Sequence, residues 1–187
     1  MTGVRWTPSV KSLVIAHDHA VKGDYPEDLD GGTRDADDQR EDNFAGKLAE
    51  GCASEYLAHI GLPHVWDAEE ANVTGADIDL FGLDVDVKMR YGDRYYDPDL
   101  ILTLDRREAD LYVQVDLHKT ETGWEGEIVG WITHDEAEQV WRPFDNGEKP
   151  KRLVPREALY RVGSLVSRIV PLANTAQDGQ TAPRAEA

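Results

Sequence analysis

This chain predicts an α+β fold, α/β/α-like in its layering, with a mixed central β-sheet flanked by helices. Three observations predict it. Residues 43–61 place Phe44, Leu48, Cys52, Tyr56 and Ile60 four apart beside Ala45, Ala49, Ala53 and Leu57, which is the spacing of a well-packed helix. Residues 75–90, GADIDLFGLDVDVKMR, alternate with a period of two on either side of Gly82, as the arms of a β-hairpin do. Short apolar or alternating runs follow, and then a capped helix, so the order is helices, hairpin, strands, helix. With 187 residues, 40% of them hydrophobic, the chain has material for one core and one compact domain.

Taken in order, residues 9–22 (SVKSLVIAHDHAVK) read as a helix opened by Ser9, with Leu13, Val14, Ala20 and Val21 apolar. His17 and His19, two apart, diverge on such a helix and cannot share a metal. Residues 23–43 lack hydrophobic periodicity and are expected to be an acidic flexible loop, as 172–187 are expected to be a disordered tail. The expected division is therefore an N-terminal helix and loop over 1–43, a folded domain over 44–171, and the tail. In the strong helix Asn43 caps the start, and Gly61 with Pro63 ends it. Glu50 lies on the border of its apolar arc, one turn after Gly46, where a carboxylate can face inward and something has room to approach; Glu55, on the other edge, is the alternative.

In the hairpin, Asp77, Asp79 and Phe81 point one way and Ile78 and Leu80 the other, while Asp84, Asp86 and Lys88 alternate with Val85 and Val87. With Gly82-Leu83 as a two-residue loop, Asp79 falls opposite Asp86 and Asp77 opposite Lys88. Further on, residues 100–104 (LILTL), 110–116 (DLYVQVD) and 127–132 (EIVGWI) read as strands. Thr133 caps a helix through Val140 and Trp141, and 158–170 supply a last strand or helix pair.

Composition narrows the function classes. Cys52 is the chain's one cysteine, which excludes an intramolecular disulfide and a cysteine zinc site; within an apolar helix it reads as a buried structural thiol. No secretory h-region and no run of 18 apolar residues occur, so a soluble, cytoplasmic protein with no membrane partner is expected. The net charge of −17 ordinarily argues against nucleic acid. Yet seven lysines against 13 arginines, with acids spread along the whole length, resemble the pattern of proteins from extreme halophiles. In molar salt the Debye length shrinks to about 3 Å, so repulsion from DNA is screened.

Like charges opposite one another in a hairpin cost stability. A hairpin face with several carboxylates therefore calls for a cation, and hard oxygen ligands suit Mg²⁺ or Mn²⁺. Lys88 on the same face can steady an attacking water or the charge that builds on a phosphate oxygen. Against this stands a plainer reading, an exposed charged hairpin in a chain where 37 of 187 residues are acidic and Asp-x-Lys triplets arise by chance.

With GKLAEGCASEYL around Glu50, GADIDLFGLDVDVK at the hairpin, and DLYVQV followed by EIVGWITHDEAE, the chain resembles the PD-(D/E)xK nuclease superfamily, the restriction-endonuclease-like fold, over roughly residues 43–165. The last of these segments is similar to the strand, strand and helix of small versions encoded by tailed viruses of bacteria and archaea, which with the charge pattern suggests a haloarchaeon or its virus. No proline precedes either aspartate. The resemblance implies a metal-dependent nuclease hydrolysing DNA, in recombination, replication or genome processing, in the host cytoplasm if viral. It implies a metal held by Asp86, by Asp77 or Asp79, and by the backbone carbonyl of Val87, with Glu50 binding or orienting through water and Lys88 positioning the nucleophile. Arg90, Arg94 and Tyr95, near Tyr91 and Tyr96, would touch DNA of unspecified form. A homodimer would suit cleavage of two strands. A non-cleaving nucleic-acid-binding module of the same fold is the alternative.

Overall fold

The structure, a computed structural model, describes residues 3–22, 36–66, 76–92, 99–103, 109–144 and 151–169. The elements are β1 (Val4–Trp6), α1 (Val10–Lys22), α2 (Ala36–His59), β2 (Val65–Trp66), β3 (Ile78–Leu80), β4 (Leu83–Tyr91), β5 (Leu100–Thr103), β6 (Leu111–Thr120), β7 (Gly123–Thr133), α3 (His134–Val140), β8 (Arg142–Phe144) and β9 (Lys151–Val154). The class is α+β. A six-stranded mixed sheet runs β1-β7-β6-β4-β3-β2, with β4 and β6 parallel, and a separate three-stranded sheet runs β5-β9-β8.

The large sheet is covered on both faces, and by different things. On one face α2 lays Leu48, Ala49, Cys52 and Tyr56 onto Val85, Val87, Val113, Val115 and Leu117, the inward set that strand alternation provides. The fit is close: Gly126 of β7 has no room for a Cβ, because the Cys52 Sγ stands 2.8 Å from where it would be. On the other face Tyr112, Val129 and Ile132 pack against Leu100, Leu102, Val154 and Ala137 of the small sheet and α3. A bulge between Gln114 and Val115 in the β6–β7 register makes Val129 the extra residue, which lets Ile128 serve the first core and Val129 the second. Short α3 and the small sheet thus do on this face what a flanking helix was expected to do.

Several local expectations need correction. The long helix does not start at Asn43. It begins at Ala36, so eight residues assigned to the acidic loop are helical, because a polar turn extends a helix that is already nucleated by its packed half. Residues 100–103 form a strand, but in the small sheet. Residues 158–170 give neither a named strand nor a helix pair: two 3₁₀ turns (Arg156–Ala158 and Val162–Ser164) flank a single bridge from Tyr160 to Trp131, and 165–169 are helical. Thr133 caps α3 as expected, its side chain accepting from the Glu136 N–H.

Candidate active site

The hairpin turn decides which carboxylates meet. Phe81 (φ 59°) and Gly82 (φ 82°) both lie in the left-handed region, so they are the two central residues of the loop, in the manner of a type I′ turn. Leu80 therefore faces Leu83, Asp79 faces Asp84 and Ile78 faces Val85. The expected Gly82-Leu83 loop and its pairing of Asp79 with Asp86 are overturned, since a register set one residue earlier moves every partner by two. Asp79 is exposed and its Oδ1 accepts the Gly82 N–H at 2.8 Å, closing the turn. Its work is local.

Asp77 takes the inward position instead. Its backbone N–H donates to the Val85 carbonyl, and its Oδ2 accepts the Val87 N–H at 2.7 Å, so the side chain replaces the ladder where β3 leaves β4. Two positions along β4, the Lys88 Nζ lies 2.6 Å from the Asp86 Oδ2. From α2 comes Glu50, buried, whose Oε2 accepts from the Lys47 Nζ at 2.6 Å and from the Trp66 Nε1 at 3.1 Å.

The charges of these groups reach one another. Burial, then the carboxylates of Glu50 and Asp86, push the Asp77 carboxyl up to about 8 against the pull of the Val87 N–H and Lys88. Burial likewise raises Glu50, with Asp86 adding to it, against Lys47 and Trp66. Three acids thus share a partly buried space with two lysines, leaving one negative charge over, which the protein meets by holding a proton.

Whether a hard divalent cation suits these residues can be judged from that surplus. The donor chemistry fits, since carboxyls that burial and then mutual repulsion push toward the neutral form would be relieved by a divalent charge. Their present spacing is another matter. Among the described residues no group of three or more His, Cys, Asp or Glu stands close enough to hold an ion, and Lys47 and Lys88 occupy an oxygen of Glu50 and of Asp86.

The remaining sequence expectations divide. Glu55 belongs to the N-terminus of α1, where it accepts from Trp6 Nε1 (2.9 Å) and from the hydroxyls of Ser9 and Ser12 (both 2.5 Å). Arg90 is buried and donates from Nη1 to the Asp99 carbonyl, so it does not face outward. Arg94, Tyr95 and Tyr96 lie outside the described residues. Two residues were missed. Lys47, one of only seven lysines, sits three positions before Glu50 at the edge of an apolar arc, a signal available in the sequence; Trp66, on a two-residue edge strand after Pro63, carried none.

Compared with known protein families, curated proteins and solved structures, the chain matches none of them. No helix among the described residues is long and apolar enough to cross a membrane.

Proposed function

We propose that this protein is a metal-dependent nuclease acting on DNA, with Glu50, Asp77 and Asp86 as its acidic centre and Lys88 beside it. The observation that carries the reading is Asp77. Its carboxyl is placed by the broken β3–β4 ladder among like charges and raised to about 8, a costly arrangement that core packing does not require. A bound Mg²⁺ or Mn²⁺ would supply a water acidified for attack and a counter-charge for the phosphate oxygens. Asp77 and Asp86 would hold it, with Glu50 orienting its water. Lys88, released from Asp86, would stand over the charge that develops as the phosphorus gains a fifth oxygen, and so act mainly on the transition state. Trp66 and Lys47 keep Glu50 aimed inward.

The lysine pairs favour one second reading, a module of the same fold that binds nucleic acid without cutting, since Lys47 and Lys88 already neutralise two of the acids. The two separate on one experiment: incubation with linear and branched DNAs in molar KCl with Mn²⁺. Cleavage that disappears in EDTA and in Asp86→Asn supports the nuclease. Binding without cleavage in every metal supports the module.

A further inference from the structure

In a chain of net charge −17, residues 141–169 hold seven Lys or Arg and only three Asp or Glu. Part of this charge serves the fold, since Arg142 pairs with Asp99, Arg156 with Asp116 and Arg168 with Glu136, yet most of it stays at the surface: Arg142, Arg161 and Arg168 are exposed and Lys151 and Arg152 partly so. Two of the arginines are held flat on aromatic rings. The Arg152 guanidinium lies 3.6 Å from the Trp141 ring centre and that of Arg168 3.7 Å from Tyr160. Both pairs are fixed to the ends of α3. Tyr160 donates to Glu136 at 2.6 Å in its first turn, with Arg168 3.8 Å from the same oxygen, and Trp141 is the residue that ends the helix.

The position relative to the acidic centre is set by register. Asp86 of β4 pairs with Tyr112 of β6, and parallel partners share a face. The Tyr112 hydroxyl bonds the His134 Nδ1 at 2.9 Å, and the His134 ring meets Trp141 edge-on at 5.8 Å. Contacts through the second core therefore link Asp86 to the Trp141–Arg152 pair on the side of the large sheet covered by the small sheet, the face opposite α2.

We propose that this basic strip, from β8 and β9 through Arg168, is a phosphate-contact surface that binds the DNA backbone independently of sequence. The proposal rests on the nuclease reading for its choice of nucleic acid. A guanidinium stacked on a ring keeps its N–H edge outward in a fixed plane, which suits the two oxygens of a phosphodiester and loses little freedom on binding. The net charge of −17 repels a polyanion overall, so a stretch of reversed sign favours approach there. An acidic protein segment would also be drawn by charge, but the planar, ring-backed arginines match spaced phosphates better than flexible carboxylates.

The test uses the full chain in EDTA, where binding is read apart from cutting. Anisotropy of a fluorescein-labelled DNA duplex is followed from 0.3 M KCl upward, on the order of the range where screening changes, for the wild type, Arg161→Gln and Arg152→Gln/Arg161→Gln. The double variant should bind about tenfold more weakly, and its log–log salt slope should be shallower by about 2, one step of roughly 0.9 per lost phosphate. Arg161 is exposed, so Arg161→Gln keeps the test valid if loss of the Trp141 stack harms folding; it should lose about half of that slope change. Unchanged affinity and slope in folded variants would overturn the surface while leaving the nuclease reading intact. A wild type that binds labelled polyglutamate but no DNA would overturn both.

Discussion

Replacing Asp77 by Asn removes the need to take up a proton on folding while keeping an oxygen to accept the Val87 N–H, so it should stabilise the protein at neutral pH. The sign follows from the direction of the shift. A carboxyl raised from 3.8 to about 8 favours folding when protonated, so stability is fullest below the unfolded value and is lost as pH rises from about 4 to about 8. Each pH unit in that window costs about 1.4 kcal/mol, which sets an upper limit of roughly 4 kcal/mol at pH 7. Because Glu50 and Asp86 share the titration, part of that cost stays with them, and Asp77→Asn should recover about 2 kcal/mol. For a chain of this size that is a rise of about 4–8 °C in Tm. Thermal unfolding followed by circular dichroism in molar KCl, at pH 4.5 and 7.5, is the assay. The gain should be present at 7.5 and near zero at 4.5, and Mn²⁺ should then raise the Tm of the wild type but not of the variant. Equal effects at both pH values, or a less stable variant at 7.5, would refute the account of Asp77 as a carboxyl pushed toward its neutral form by burial and repulsion.

Lys88→Ala should abolish DNA cleavage, since the residue neutralises Asp86 on a polar face and holds no core; circular dichroism should show an intact fold, and wild-type cleavage would make the motif a coincidence. Glu55→Ala should cost about 1–2 kcal/mol by uncapping α1, read by urea unfolding. Although burial opposes it, hydrogen bonds from Ser12, Ser9 and Trp6 hold the Glu55 carboxyl below its usual range, so this loss should be full above the unfolded value near 4.5 and fade as pH falls through the lower folded value. Folding and DNA binding should both strengthen from dilute buffer toward molar KCl, as screening relaxes self-repulsion; a tightest fold and tightest binding in dilute buffer would assign the acidity another cause.

Periodicity made the class and most elements legible, because a residue's face is a local property: the apolar side of α2, the two sets of β4 and the Thr133 cap can each be read from a few neighbours. What escaped depends on partners distant in sequence. β1 is three residues long and exists because β7 offers an edge, and β8 and β9 exist because Leu100 and Leu102 need a cover. The hairpin register failed for a narrower reason. Assigning the loop to Gly82-Leu83 took glycine as its first residue, whereas Phe81 adopts a positive φ that propensity disfavours, and that single residue pairs Asp79 with Asp84 in place of Asp86. Glu50 is buried, and its ties to Lys47 and Trp66 required the third dimension.

The Sγ pressed against Gly126 gives this protein a reporter of its own integrity. Cys52 is the chain's sole thiol, fully buried, and burial, with Glu55 contributing, pushes it up to about 12, so neither access nor ionisation allows a maleimide to react with it while α2 stays seated. Labelling then counts departures of that helix from the sheet. Its rate across a KCl series would follow opening of the first core directly, in the brines where optical probes of folding are hardest to compare, and without adding any group to the molecule.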